Sequence, residues 1–176
     1  MPSNPNFTIV NAEESDIPRL VEIQFSAFEG DPYQQAFYPG PDSPASRAKA
    51  ERNTLKEWRE EPFIHVIKCV DSTTGVIAGF AIWNIFDRER SREEWGHRPA
   101  VDWLDTEQQR KVAETFLYAN LAIRERIWEG RCYVRELLAC CSLRDVSYEA
   151  LLFCAGWNST LNLLAHATCE RTAAPS

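Results

Sequence analysis

The residues with the plainest capacity for chemistry lie late in the 176-residue chain. Cys140, Cys141, His166 and Cys169 offer thiols and an imidazole, and His166-x-x-Cys169 is a spacing that two ligands of one zinc ion could use. Adjacent cysteines on a strand point to opposite faces, however, and structural zinc sites favour C-x-x-C pairs, so no metal site is expected. Cys154 sits in an apolar run with no basic or histidine neighbour to lower its pKa, which argues against a nucleophilic thiol there. His65 falls in a strand-like segment and His97 in a polar connector, and both read as structural or surface histidines. A second group is aromatic. Phe28 precedes, and Tyr33, Phe37 and Tyr38 occupy, a stretch from Tyr33 to Pro44 that is rich in proline and glycine. That stretch carries more rings than a solvated loop needs, so the rings either line a pocket or pin the loop to the core.

Composition narrows the partners. The net charge is -7 and no Lys/Arg cluster is dense enough to neutralise a phosphate backbone, so nucleic acid is not an expected partner. Pro2 and Pro5 stand where a signal peptide needs basic residues and an apolar run, and no stretch is long enough to span a bilayer. A cytoplasmic or nuclear protein is expected, with its six cysteines as thiols.

Periodicity supplies the elements that must position these groups. A β-like run at Phe7, Ile9 and Val10 leads into Ser15 and Asp16, which are helix-capping types. The spacing of Ile17, Leu20, Val21, Phe25 and Phe28 predicts an amphipathic helix that Gly30-Asp31-Pro32 stops. Ser43-Pro44 opens a second helix to about Glu61 with a thin apolar face. Phe63 to Val70 and Val76 to Phe86 read as an antiparallel hairpin, with Gly79 marking a bulge or a close backbone approach. Asp87 to Trp103 is a polar connector. A long helix then begins at Asp105 or Thr106 and ends at Glu129-Gly130, with Val112, Phe116, Ala119, Ile123 and Ile127 as its apolar stripe. Tyr133 to Cys141 and Thr160 to His166 look like short buried strands, with a helix-like run from Tyr148 to Ala155 between them and a fraying tail from Ala167. The whole reads as one α/β (α+β) domain over residues 1–176, atypical from residue 134 onward.

This order of elements, with the hairpin sequence Val76-Ile77-Ala78-Gly79-Phe80-Ala81-Ile82-Trp83 and two Leu-Leu-Ala strand ends, resembles the Gcn5-related N-acetyltransferase (GNAT) superfamily over roughly the first three quarters of the chain. The resemblance implies a mixed sheet flanked by helices. It also implies acetyl-CoA as co-substrate and a small-molecule amine or peptide as acyl acceptor. Either Glu136-Leu137-Leu138-Ala139 or Asn162-Leu163-Leu164-Ala165 corresponds to the family's fourth strand, whose backbone N–H groups polarise the thioester. The second copy is preferred, which makes Leu163, Leu164 and Ala165 the cofactor-binding positions, with Arg171 at the loop's basic position. Phe28, Tyr33, Phe37 and Tyr38 fall to the acceptor side, and no catalytic residue is assigned. Glu136, a carboxylate in a strand-like run near that site, reads as an ordinary strand glutamate.

The chain also departs from the pattern. Neither Leu-Leu-Ala copy is followed by the glycine loop that would bring backbone donors to a pyrophosphate, and the last glycine is Gly156. The expectation is a truncated fold without the family's C-terminal strands and helices, with the stretch from about Val134 to Ala155 read as a translated intron. An unpaired sheet edge would then favour a homo-oligomer. Two functions follow from these readings: an acetyl-CoA-dependent N-acetyltransferase, or a non-catalytic remnant that binds no CoA.

Overall fold

A computed structural model describes residues 7–40 and 42–141, with the side chains of 135–141 outside the description. Strand β1 (Phe7–Asn11) enters a single 3-10 turn at Glu14–Asp16 and then helix α1 (Ile17–Ala27). Asp16 anchors this entry. Its Oδ2 accepts from the Glu13 amide at 2.7 Å and from Lys68 Nζ at 2.6 Å, tying the start of α1 to the strand that carries Lys68. Burial works against the Asp16 carboxylate, yet the Lys68 hydrogen bond, the Glu13 amide and the Lys68 charge together hold its pKa below the usual value.

The stretch expected to be loop from Tyr33 begins as a short helix, α2 (Pro32–Phe37). Asp31 and Pro32, read above as a stop for α1, also start α2. The Asp31 side chain accepts from the Tyr33 and Gln34 amides and Pro32 fills the first helical position, where a missing N–H costs nothing. Helix α3 (Pro44–Glu60) follows the same logic, with Ser43 as cap and Pro44 in its first turn.

Strands β2 (Ile64–Asp71) and β3 (Ile77–Phe86) form the expected hairpin, closed by a turn in which Gly75 adopts φ +71°. After β3 the connector holds a one-turn helix, α4 (Arg92–Trp95), and leads to α5 (Glu107–Trp128), whose N-terminus is capped reciprocally by Thr106 and Gln109. Glu129 and Gly130 close α5 in left-handed conformations, and β4 (Tyr133–Cys141) follows. The described sheet runs β1-β2-β3-β4, antiparallel at every step. No described helix is long and apolar enough to cross a membrane.

Burial is concentrated under α1. Leu20 and Ile23 pack on Val66 and Phe80 of the sheet, while Ile17, Val21 and Phe25 meet Ala50 of α3. A third cluster joins Val101 and Leu104 of the connector to Ala113 of α5. This cluster decides which side of α5 is inside, and the decision corrects the expected stripe. Ala113 and Leu121 are buried, whereas Val112, Phe116, Ile123 and Ile127 are 41–57% exposed. The helix is apolar on two sides, and the connector's own hydrophobic residues cover the Ala113 side.

Candidate functional site

The site grows from an irregularity in the sheet. Ile82 pairs with Leu138 and Trp83 pairs with Glu136, so β4 carries one extra residue, Leu137, between two consecutive β3 positions. An extra residue of this kind drops out of the ladder, bends its strand and re-aims the neighbouring backbone groups. The β2–β3 pair has a similar shift, since Cys69 faces Gly79 and Val70 faces Ile77, leaving Ala78 extra beside Gly79. The bulge read from that glycine is therefore present.

Two polar atoms on β3 stand opposite the β4 bulge. Trp83 is 2% exposed and its indole Nε1 is buried with no hydrogen-bond partner among the described residues. Asn84, paired in register with Arg135, is 4% exposed and its Oδ1 is likewise unpartnered. Buried polar atoms cost stability when unsatisfied. Trp83 and Asn84 are consecutive and belong to opposite faces of the sheet, so of the two it is Trp83, a donor in register with Glu136 beside the bulge, that marks a place able to satisfy a bound acceptor. The register also aligns His65, Trp83 and Glu136 in one row across β2, β3 and β4. Helix α1 lies over β3 and β4.

At the C-terminal end of α1 a cavity of about 360 Å³ opens among α1, α2 and the start of α3. Phe25, Phe28 and Tyr38 supply its apolar wall, and Glu29, Asp42 and Arg47 its charges. The Phe25 and Tyr38 rings are 5.6 Å apart and tilted, which fixes that wall. Arg47 grips Asp42 with two hydrogen bonds, Nε to Oδ1 at 2.7 Å and Nη2 to Oδ2 at 2.6 Å, and its guanidinium stands 6.0 Å from the Phe25 ring centroid.

Tyr38 connects the cavity to α3. Burial, reinforced by the nearby Glu57 charge, pushes the Tyr38 phenol well above its ordinary pKa, with the neighbouring Asn53 side-chain amide pulling the other way. Glu57 itself is raised to about 7, first by the protein crowded around its carboxyl and then by Glu61, while Lys56 opposes. The residue nevertheless keeps exposed surface, so solvent moderates that shift. Glu61, one helical turn on, is a neighbour the sequence shows, but the crowding that contributes most comes from folding.

The expected acceptor residues divide. Phe28 and Tyr38 line the cavity, while Tyr33 and Phe37 turn toward the connector and α5. The Tyr33 ring is 4.7 Å from Phe37 and 6.1 Å from Phe116, and Trp103 donates its indole N–H to the Phe37 carbonyl at 3.1 Å. Of the two Leu-Leu-Ala copies, the one ending at Ala139 lies beside β3. Leu163, Leu164, Ala165 and Arg171 lie outside the described residues, as do His166 and Cys169.

No protein-family model and no curated protein matches the sequence. Among solved structures the chain is similar to the C-terminal condensation domain of Ebony, solved in complex with beta-alanyl-dopamine. That similarity has a TM-score of 0.58 at 14% identity, over 95% of this chain and 73% of that one. A second similar structure is a histone acetyltransferase HPA2 and related acetyltransferase from Corynebacterium glutamicum, with a TM-score of 0.37 at 22% identity over 67% of this chain and 71% of that one. The likeness to the Ebony domain is one of fold alone, an α+β architecture whose described part is an antiparallel sheet flanked by helices.

Proposed function

We propose that this chain is an acyltransferase that moves an acetyl group from acetyl-CoA to a primary amine. The observation that carries the reading is the bulge at Leu137 in β4, with the buried, unpartnered Trp83 indole N–H on the facing strand. Acyl transfer needs a place where negative charge developing on a thioester carbonyl oxygen meets fixed donors, and a backbone bent out of its ladder supplies them without reorganisation. The amine nitrogen attacks the carbonyl carbon, the C–N bond forms, the C–S bond breaks, and the thiolate leaves and takes up a proton. The proton that the amine loses goes to a carboxylate. Glu136 holds the ladder position adjoining the bulge and is the group we assign to this task.

The acceptor side is the cavity bounded by Phe28 and Tyr38, at the end of the helix that crosses β3 and β4. On the cofactor side, we assign Leu137, Leu138 and Ala139, in the strand beside β3, to the thioester-binding backbone that the resemblance implies. Leu163, Leu164, Ala165 and Arg171 stay as the proposed contacts of the second copy.

A specific feature favours a second reading, a GNAT-like remnant that binds no CoA: neither Leu-Leu-Ala copy runs into a glycine loop, and Gly156 is the last glycine. Thermal unfolding with and without acetyl-CoA separates the two, because ligand at 100 times its Kd adds about 2.7 kcal/mol of stability. An upward shift of the midpoint together with amine-dependent release of free CoA thiol supports acyl transfer. An unchanged midpoint at saturating acetyl-CoA selects the remnant.

A further inference from the structure

Resting on the acceptor side proposed above, we infer that the amine taken by the cavity at the end of α1 is a small monocation with a flat apolar body, an aryl-alkyl monoamine. It is neither an amino acid nor a polyamine. The volume, about 360 Å³, is that of a site for one small molecule. Phe25, Phe28 and Tyr38 form a wall against which a flat ring packs edge-on or offset.

The charges then choose among amines that carry such a ring and those that do not. An amino acid brings a carboxylate, and the lining holds a single guanidinium to receive it, that of Arg47. One edge of it, Nε with Nη2, is engaged by Asp42, whose carboxylate offsets its charge, and Glu22 and Glu51 add further negative charge around it. A ligand carboxylate would compete with Asp42 for that one positive charge and would meet an acidic surround. An ammonium fares differently. Glu29 lines the cavity, is exposed, and has no ion-pair partner among the described residues, so one carboxylate is available for one cation. A polyamine would bring further ammonium groups against the aromatic wall, where removing their water without a paired charge is costly.

The test uses the full chain and calorimetric titration with three probes: phenethylamine, phenylalanine and spermidine. Phenethylamine is expected to bind at least about tenfold more tightly than either of the others. Glu29→Gln is expected to weaken phenethylamine about two- to fivefold, with the difference shrinking as salt is raised, as for any exposed charge pair. Equal or tighter binding of phenylalanine or spermidine, absence of phenethylamine binding, or a Glu29→Gln variant that binds as the wild type does would each overturn the inference. The acetyl-CoA midpoint shift, measured on the same preparation, reports on acyl transfer separately. A shift with the wrong order of amines sinks only the choice of acceptor. Phenethylamine binding without a shift sinks the acyl-transfer reading and leaves the cavity's preference standing.

Discussion

Deleting Leu137 tests the link between the irregular strand and chemistry. Ile82 and Trp83 are consecutive on β3 and so belong to opposite faces of the sheet, whereas their partners Leu138 and Glu136 are two apart and would share a face in an unbroken strand. The extra residue reconciles the two parities. Removing it leaves Glu136 and Leu138 consecutive, so every β3–β4 pair on either side survives and the ladder becomes continuous. The deletion variant should therefore fold. Its unfolding midpoint should lie within about 5 °C of the wild type, since about 1 kcal/mol moves a domain of this size by roughly 2–4 °C. What it loses is the bent backbone. Loss of one donor aimed at a developing oxyanion costs about 2.7–4 kcal/mol, or a factor of about 10² to 10³ in kcat. The assay is release of CoA thiol with acetyl-CoA and an aryl-alkyl amine. A Leu137→Ala control, which keeps the bulge and shortens only the side chain, should retain kcat within a few-fold. A deletion variant that folds and keeps full kcat refutes the role given to the bulge; one that fails to fold refutes the register argument.

Three further outcomes follow from the packing and the charges. The Glu57 carboxyl is raised from 4.5 to about 7, so the folded chain binds its proton more tightly than the unfolded chain. The wild type should lose stability as pH rises through that window, and Glu57→Gln should flatten the slope and raise the midpoint at pH 8, as read by thermal unfolding; an unchanged slope would show that solvent reaches the carboxyl freely. Gly130 adopts φ +79°, and a Cβ there would come within 2.6 Å of the Arg90 carbonyl oxygen as well as against the Trp95 ring. Gly130→Ala should cost about 1–3 kcal/mol, measured by denaturant unfolding, and a neutral result would mean that the α5–β4 junction yields. Leu121→Ala should cost at least about 2 kcal/mol while Ile123→Ala stays within about 0.5 kcal/mol; the reverse order would restore the stripe read from periodicity.

The first helix, the hairpin and the long helix with its Thr106 cap were legible in the sequence because their signals are local. Apolar spacing, caps and turn glycines act within a few residues, and the backbone obeys them wherever the segment lies. The order of elements followed from the same signals. Gly79 likewise announced its bulge. Asp31-Pro32 shows the limit of such signals, since the same pair both ends one helix and begins another, and only the chain's path beyond it tells which role prevails.

The rest was decided by partners far away in sequence. Val101 and Leu104 choose the buried side of α5, a choice that the helix, apolar on two sides, does not make for itself. Registry against β3 creates the extra residue at Leu137, which no local pattern marks. Phe28 and Tyr38 reach one cavity while Tyr33 and Phe37 are drawn to Trp103 and Phe116, although all four are aromatic neighbours in the sequence. Side-chain type and spacing fix what a segment can bury. Which of two burial options is taken depends on the surface that folding brings opposite it, and that surface belongs to the tertiary structure alone.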